Sequence, residues 1–182
     1  MQVNAEELAL FIRALAFAAE KHRGKPRKGA DPAPYINHPI SLAHLLVNEG
    51  GVHDPVVLCA AVLHDTIEDT PTTAEDLRIL FGAEVAAVVV EVTDDKSLNK
   101  QVRKELQVEH APHLSTPAKL VKLADKICNL RDLLASPPLD WSLERRRESF
   151  DWSARVVAGL RGVHPGLEAV FDQVHARKDE VR

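Results

Sequence analysis

The chain has 182 residues, of which 45% are hydrophobic and 27% charged, a balance that excludes a disordered or fibrous protein. Its 23 basic and 27 acidic residues give a net charge of −4, which argues against binding a nucleic acid polymer through bulk charge. The sequence has no apolar run of about 20 residues, no basic signal-peptide start and only 2 cysteines, so we expect a cytoplasmic protein without a membrane partner. The length predicts a single domain over residues 1–182.

The first third of the chain has the apolar spacing of amphipathic helices. Residues 5–22 carry apolar side chains at steps of three and four, which predicts a helix. Residues 24–34 contain glycines and prolines among basic residues and predict a basic loop. The next helix should open at Pro39 and end at Gly50. Another should begin after the N-cap Asp54, and its apolar residues on every side predict burial on every side.

The rest of the chain continues this helical pattern. Thr72 and Glu75 have the spacing of a capping box, and Gly82 is a typical helix end. The valines of residues 83–93 are spaced as in a helix, although valine favours strands. Further helices are predicted at 100–110, from Pro117 to Pro137, at 142–161 and at 165–178. Because no segment alternates as a strand does, we expect an all-α fold, a multi-helix bundle.

The sharpest anomaly is the end of the buried helix, where the apolar run gives way to His64, Asp65, Glu68 and Asp69. Ionised carboxylates are costly to bury unless they are paired. A divalent metal ion is an economical partner, because it accepts imidazole nitrogen and carboxylate oxygen together. A lone His-Asp dipeptide is weak support, and the one at Asp54 is explained by helix capping. The burial of the preceding helix is what indicates a metal site here.

Two distant residues would complete such a site. His38 directly precedes Pro39, which holds the backbone at His38 out of the α region. Asp125 flanks the apolar stripe of the long helix after residue 117, and Asn129 follows one turn later on the same side. Three lysines share a separate side of this helix and predict a basic face: Lys119, Lys122 and Lys126.

Three separated motifs carry a family resemblance: INHP at 36–39, HDTIEDT at 64–70 and KLADKICNLRDL at 122–133. In this order they resemble the HD-domain phosphohydrolases. Within that family the chain is most similar to the small alarmone hydrolases of the metazoan SpoT homologue type, which are related to the hydrolase domain of RelA/SpoT enzymes. The resemblance extends from AAEKHR at 18–23 to WSLERR at 141–146. It implies a helical HD-type bundle around a buried metal site.

The resemblance also implies a role for each matching residue. The family's metal ligands, which usually hold manganese and otherwise a divalent ion such as Zn2+ or Fe2+, match His38, His64, Asp65 and Asp125. The acidic pair that positions and activates the attacking water matches Glu68 and Asp69. The residues that would contact the nucleotide or its phosphates are Arg27, Lys28, Tyr35, Lys100, Asn129 and Arg145.

The implied reaction is hydrolysis of the 3′-pyrophosphate of ppGpp or pppGpp, which leaves GDP or GTP. Two alternatives stay open. The same site could remove a ribose phosphate from NADPH or another nucleotide, because a ribose phosphate next to the metal is geometrically similar. Ser149, which stands where an animal relative has tyrosine near the substrate, leaves the base contacts that would decide this open. A sensor could bind the alarmone without cleaving it, although a sensor has no need of a water-activating acidic pair. The sequence lacks GxxxxGK[ST], which argues against a P-loop enzyme, and it leaves the oligomeric state open.

Other conspicuous residues have simpler interpretations. Cys59 and Cys128 lie on apolar helix faces and are expected to be packing residues. Asp94 and Asp95 could form a loose second metal site, or they could mark the exit from a helix. Trp141 could belong to the core or to the edge of a substrate pocket.

Overall fold

The computed structural model describes residues 4–30 and 33–182, and the regular elements in those ranges are helices. The α-helices are α1 Ala5–Lys21, α2 Asn37–Asn48, α3 Pro55–Leu63, α4 Thr66–Asp69, α5 Ala74–Phe81, α6 Ala83–Val92, α7 Lys100–His110, α8 Thr116–Ala135, α9 Leu143–Leu160 and α10 Pro165–His175. Short 3-10 turns follow at Ala111–His113 and Lys178–Glu180. The predicted all-α class is confirmed, while two residues of the predicted basic loop, 31 and 32, lie outside the described ranges. No helix in the described ranges is long and apolar enough to cross a membrane.

Helix α3 lies at the centre of the fold. Its N-cap Asp54 accepts hydrogen bonds from the backbone N–H groups of Val56 (2.8 Å) and Val57 (3.4 Å), as the sequence predicts. Most of its residues are buried, because α1, α2, α6 and α8 pack around it. The chain that leaves Leu63 therefore emerges inside the molecule rather than at its surface.

The capping box before α5 begins one residue later than predicted from Thr72 and Glu75. Thr73 is the N-cap, its hydroxyl accepts from the Asp76 N–H at 3.1 Å, and the Asp76 carboxylate accepts from the Thr73 N–H at 2.8 Å. Thr72 is buried instead, with its hydroxyl 2.8 Å from that of Thr70. The hydroxyl of either threonine could cap a helix, and the turn that follows α4 determines which of the two becomes the N-cap.

Helix α8 is the second central helix, packed against α2, α3, α6, α9 and α10. It corrects the expectation of a basic face, because both Lys122 and Lys126 are buried. The Lys122 ammonium donates to the backbone carbonyl of Val92 at 2.9 Å. The Lys126 ammonium lies 3.1 Å from Asp125 and 4.2 Å from the ring centroid of Trp152. Helical spacing gives the direction of a side chain, but the neighbouring helices that cover it are set by the tertiary fold.

Candidate active site

His64 and Asp65 lie where α3 ends and the chain turns into the single turn of α4. The break in the helix is stabilised locally: the His64 Nδ1 atom lies 2.8 Å from the Ala61 carbonyl, and the Thr66 hydroxyl donates to the Leu63 carbonyl at 2.7 Å. These contacts satisfy carbonyl groups that a helix end leaves without partners. Neighbouring residues in a continuous helix point about 100° apart. Here the break brings His64 Nε2 within 3.0 Å of a carboxylate oxygen of Asp65.

His38 lies in the first turn of α2, which begins at Asn37, so the expectation that Pro39 opens this helix and holds the His38 backbone out of the α region is wrong. The His38 side chain and that of Asp125, from the middle of α8, reach the same point. The His38 Nε2 atom lies 3.3 Å from Asp125 Oδ1, and His64 Nε2 lies 4.0 Å from that same oxygen. One nitrogen or oxygen atom from each of His38, His64 and Asp65 lies within 4.8 Å of the others, in a geometry that could hold a metal ion. Three separate sequence motifs therefore supply four side chains that converge in the interior.

The buried nitrogen atoms of this cluster fit a metal site. His64 Nε2 is buried and has no assigned hydrogen-bond partner, although a carboxylate oxygen of Asp65 lies 3.0 Å away. Since His64 Nδ1 faces the Ala61 carbonyl, Nε2 is the nitrogen directed at the cluster. Buried polar atoms normally have a partner. Two imidazoles and two carboxylates suit a divalent ion and balance its charge.

The pKa values of the cluster show how strongly its charges interact. Burial alone lowers the pKa of His64, but the adjacent Asp65 carboxylate raises it to about 9. Burial would raise the pKa of Asp125, yet Lys126 and His38 hold it well below its usual range. The carboxylates are therefore ionised and attract a cation. Because an imidazole must be neutral to bind a metal, binding of the ion would displace a proton from His64.

Glu68 and Asp69 follow on α4, and their surroundings differ. A Glu68 oxygen accepts a long hydrogen bond of 3.3 Å from the backbone N–H of Asp94. Burial, followed by the charges of Asp65 and Asp94, raises the pKa of Glu68. The Asp69 carboxylate contacts the ammonium groups of Lys25 and Lys96. These hydrogen bonds outweigh the effect of burial and lower the pKa of Asp69.

A cavity of about 190 Å³ is lined by His38, His64, Asp65, Glu68 and Asp125, and a larger cavity of about 750 Å³ adjoins it. The two share several lining residues, among them Arg27 and Asn129. Five predicted substrate contacts line the larger cavity: Arg27, Lys28, Lys100, Asn129 and Arg145. The predicted metal ligands and most predicted substrate contacts thus border one connected space.

The structure adds two cations to this space that the sequence analysis did not identify, Arg103 and Lys104. Both follow Lys100 on α7 by three and four residues, so helical spacing alone would have placed them beside it. Trp141 meets both of its alternatives, because it lines the cavity and packs against the hydrophobic core. The Arg145 guanidinium carbon lies 4.1 Å from the centroid of its ring.

Arg27 and Asn129 connect the larger cavity to the metal cluster. Arg27 donates to the Asp132 carboxylate at 3.0 Å from Nε and 2.8 Å from Nη2, and Nη2 also contacts the Asn129 side-chain oxygen. The Asn129 amide group then donates to Asp125 Oδ1 at 2.6 Å. A change at Arg27 can therefore be transmitted to Asp125 through one intervening side chain.

Tyr35 has a different environment from the other predicted substrate contacts. It is buried, its hydroxyl donates to the Asp65 carboxylate, and its ring lies 4.7 Å from that of His22 between centroids. It does not line either of the two cavities described above. In this structure the Tyr35 hydroxyl contacts the predicted metal ligand Asp65 directly.

Asp94 and Asp95 have partners that explain them without a second metal ion. The Gln107 side chain donates to Asp94 at 2.6 Å, and the backbone N–H of Ser97 donates to Asp95 at 2.9 Å. Both residues follow the end of α6 at Val92, as expected for an exit from a helix. Within residues 4–30 and 33–182, the cluster with metal-binding geometry is the one that contains His38, His64 and Asp65.

A family model described as an HD domain matches residues 14–152, which include every predicted metal ligand. The chain belongs to the HD domain family. A human relative named guanosine-3′,5′-bis(diphosphate) 3′-pyrophosphohydrolase MESH1 is 55% identical over 94% of this chain and 96% of its own length. The Xenopus tropicalis protein of the same name is 52% identical over 93% of this chain and 95% of its own. The resemblance found in the sequence motifs is thereby confirmed.

A solved structure extends this similarity of the HD domain to three dimensions. It matches with a TM-score of 0.92 and 44% sequence identity, and the match covers 100% of this chain and 99% of the other. Its title states that a metazoan ortholog of SpoT hydrolyzes ppGpp and plays a role in starvation responses. The fold of this HD domain is therefore that of a ppGpp-hydrolysing protein over its whole length.

Proposed function

We propose that this HD domain is a metal-dependent hydrolase that removes the 3′-pyrophosphate of ppGpp or pppGpp. Water adds to the phosphorus bonded to the ribose 3′ oxygen, the bond between them breaks, and GDP or GTP and pyrophosphate are released. The observation that carries the proposal is the connection of the His/Asp cluster to a cavity lined by cations. The relatives that bear this activity in their names match almost the full chain.

We assign the ion to His38, His64, Asp65 and Asp125 and propose Mn2+ as that ion. When bound, a divalent cation would lower the pKa of a water molecule and polarise the scissile phosphate. Glu68 lines the same cavity and is placed to accept a proton from that water. Asn129 and Lys126 hold the two oxygens of Asp125, which fixes the orientation of this carboxylate.

The larger cavity supplies the substrate site. Its cations would pair with the phosphates of a highly charged nucleotide, which explains how a chain of net charge −4 can bind a polyanion. Lys100 and Arg145 lie over the same tryptophan ring, 5.6 Å and 4.1 Å from its centroid, so they share one side of the cavity. We assign Arg27, Lys28 and Asn129 to contacts with the nucleoside part of the substrate.

The setting of the reaction forms part of the same proposal. We infer a single HD domain over residues 1–182 that acts in the cytoplasm on a free nucleotide, without a nucleic acid polymer or a membrane. Cys59 and Cys128 are both free and buried, which suits a reducing compartment.

Incubation of the purified, manganese-loaded protein with ppGpp tests the proposal. GDP and pyrophosphate should form in equal amounts, and kcat/KM for ppGpp should exceed that for NADPH. A higher kcat/KM for NADPH would assign the same site to a ribose-phosphate phosphatase. Tight binding of ppGpp without any turnover, with the metal content verified, would instead assign the protein to the alarmone sensors.

A further inference from the structure

The Asp69 carboxylate is held by lysines from two different loops. One oxygen contacts Lys25, which lies 44 residues earlier in the basic loop, and the other contacts Lys96, which lies 27 residues later in the loop between α6 and α7. The side chain of Asp69 is only 16% exposed. Asp69 therefore joins two segments that border the larger cavity, one carrying Arg27 and the other leading into Lys100.

Glu68, the neighbour of Asp69, is placed differently. It lines the cavity that contains His38, His64 and Asp65, whereas Asp69 is absent from the described lining of that cavity. The polar contacts of Glu68 are long: 3.3 Å to the Asp94 N–H, 3.5 Å to Arg103 and 3.8 Å to Lys96. A general base needs an oxygen that can reach the proton it accepts. Glu68 retains such an oxygen, whereas each of the two carboxylate oxygens of Asp69 contacts a lysine ammonium group.

We propose that Asp69 is a positioning residue clamped between Lys25 and Lys96, and that Glu68 alone of the acidic pair exchanges a proton during hydrolysis. This inference rests on the proposed hydrolase function and assigns roles within its site. The clamp fixes the distance between the two loops, and so between the cations that hold the two ends of the nucleotide.

The charges around Glu68 and Asp69 support the same division of roles. The hydrogen bonds from Lys25 and Lys96 lower the pKa of Asp69, which makes its carboxylate a weaker base. Lys25 also lies 4.5 Å above the centroid of the Tyr35 ring, and the Tyr35 hydroxyl donates to Asp65. Lys25 therefore contacts both the Asp69 carboxylate and the Tyr35 ring. This is expected of a residue that holds a fixed position, and not of a freely moving surface lysine.

A double-mutant cycle separates the two roles. Lys25→Met and Lys96→Met should each lower kcat/KM for ppGpp several-fold, mainly through KM, and Lys25→Arg should restore most of the loss. In an Asp69→Asn background the lysine substitutions should lose most of their cost, because the lysines act mainly through Asp69. Glu68→Gln should instead lower kcat by about 10²–10⁴-fold, the usual contribution of a general base. Its effect should add to that of Lys25→Met.

Arg23→Met is the matched control, because Arg23 lies near Lys25 in sequence, its side chain is 78% exposed, and it pairs with the neighbouring Glu20 on the surface. It should leave kcat and KM unchanged. The inference is overturned if Asp69→Asn loses as much kcat as Glu68→Gln, or if Lys25→Met keeps its full cost in the Asp69→Asn background.

Hydrogen exchange gives a second measurement that does not depend on turnover. Lys25→Met should speed exchange of the backbone amides of residues 93–99 in the manganese-loaded protein, and Arg23→Met should not. Unchanged exchange would contradict the clamp. A wild-type protein that fails to hydrolyse ppGpp would overturn the proposed function, whereas the exchange result would still decide whether the clamp exists.

Discussion

Asp125 is the residue on which most of the site depends. Its Oδ1 atom faces His38 and accepts from Asn129, and its Oδ2 atom lies 3.1 Å from the buried ammonium of Lys126. The same carboxylate thus borders the small cavity with the His/Asp cluster, contacts a buried cation and contacts Asn129, which lines the larger cavity. Removing it would leave the Lys126 charge without its carboxylate partner and the metal cluster without one of its two negative charges.

Asp125→Ala should therefore lose metal and activity together. We expect manganese affinity to fall by more than about 100-fold, since even groups outside the direct ligand set are worth about 10–100-fold. Equilibrium dialysis with metal analysis measures this directly, with the exposed Asp140→Ala as control. Full manganese occupancy in Asp125→Ala would show that the ligand set is wrong.

The two cysteines give a residue-scale prediction that concerns packing alone. Burial raises the pKa of the Cys59 thiol to about 11 and that of Cys128 to about 12. At pH 8, which lies below both values, the thiols stay protonated and unreactive, because the thiolate is the reacting form. Ellman's reagent should label neither in the native protein and both in denaturant. Rapid labelling of one thiol in the native state would contradict this burial.

At the scale of elements, α3 delivers two of the predicted metal ligands, His64 and Asp65, to the interior. Its start is fixed by the Asp54 cap and Pro55, and its end by the break at His64. Because α3 is packed on all sides, a shift at either end moves the site. The cap is therefore coupled to the geometry of the cluster through one short, rigid helix.

Asp54→Ala should lower the free energy of unfolding by about 1 kcal/mol, the usual cost of losing an N-cap. Urea denaturation should show a lower midpoint with an unchanged m-value. Asp54→Ser, which can still accept from the helix N–H groups, should recover most of the loss. Equal destabilisation by Ala and Ser would show that the cap hydrogen bonds are not the cause.

The helices could largely be predicted from the sequence, and the turns between them could not. The spacing over 83–93 predicted α6, which spans Ala83–Val92, in spite of its valines. The single turn of α4 was not predicted, because four residues are too few for a periodic signal. Its position depends on hydrogen bonds such as that from Thr66 to the Leu63 carbonyl, which only the folded chain brings into place.

At the scale of the whole molecule, charge is distributed unevenly. The chain has a net charge of −4, yet the larger cavity contains a concentration of lysine and arginine. Burial lowers the pKa of Lys100, and the positive charges of Arg145 and Lys104 lower it further. These cations repel one another, so a bound polyanion would relieve a repulsion that exists in the free protein.

Substrate binding should therefore weaken as salt is added. Raising sodium chloride from about 50 to about 300 mM shortens the screening length to below about 10 Å and should raise KM for ppGpp several-fold with little change in kcat. Sucrose at equal osmolarity should have no such effect. A KM that is independent of salt would contradict an electrostatic substrate site.

The four predicted metal ligands illustrate what the motifs could and could not predict. The motifs named His38, His64, Asp65 and Asp125, and in the structure these side chains approach one another. The contacts of Lys25 and Lys96 with Asp69 were not predicted, because they join loops far apart in the sequence and neither loop has a periodic pattern. The burial of Lys122 could not be predicted from the sequence either, because it depends on how α6 packs over α8.

The central claim is that a single divalent cation is held by four side chains from three distant segments. Anomalous diffraction from crystals soaked in manganese tests it most directly. We expect one strong peak within bonding distance, about 2.0–2.4 Å, of His38, His64, Asp65 and Asp125. A peak bound by other residues, or none at saturating manganese, would contradict it.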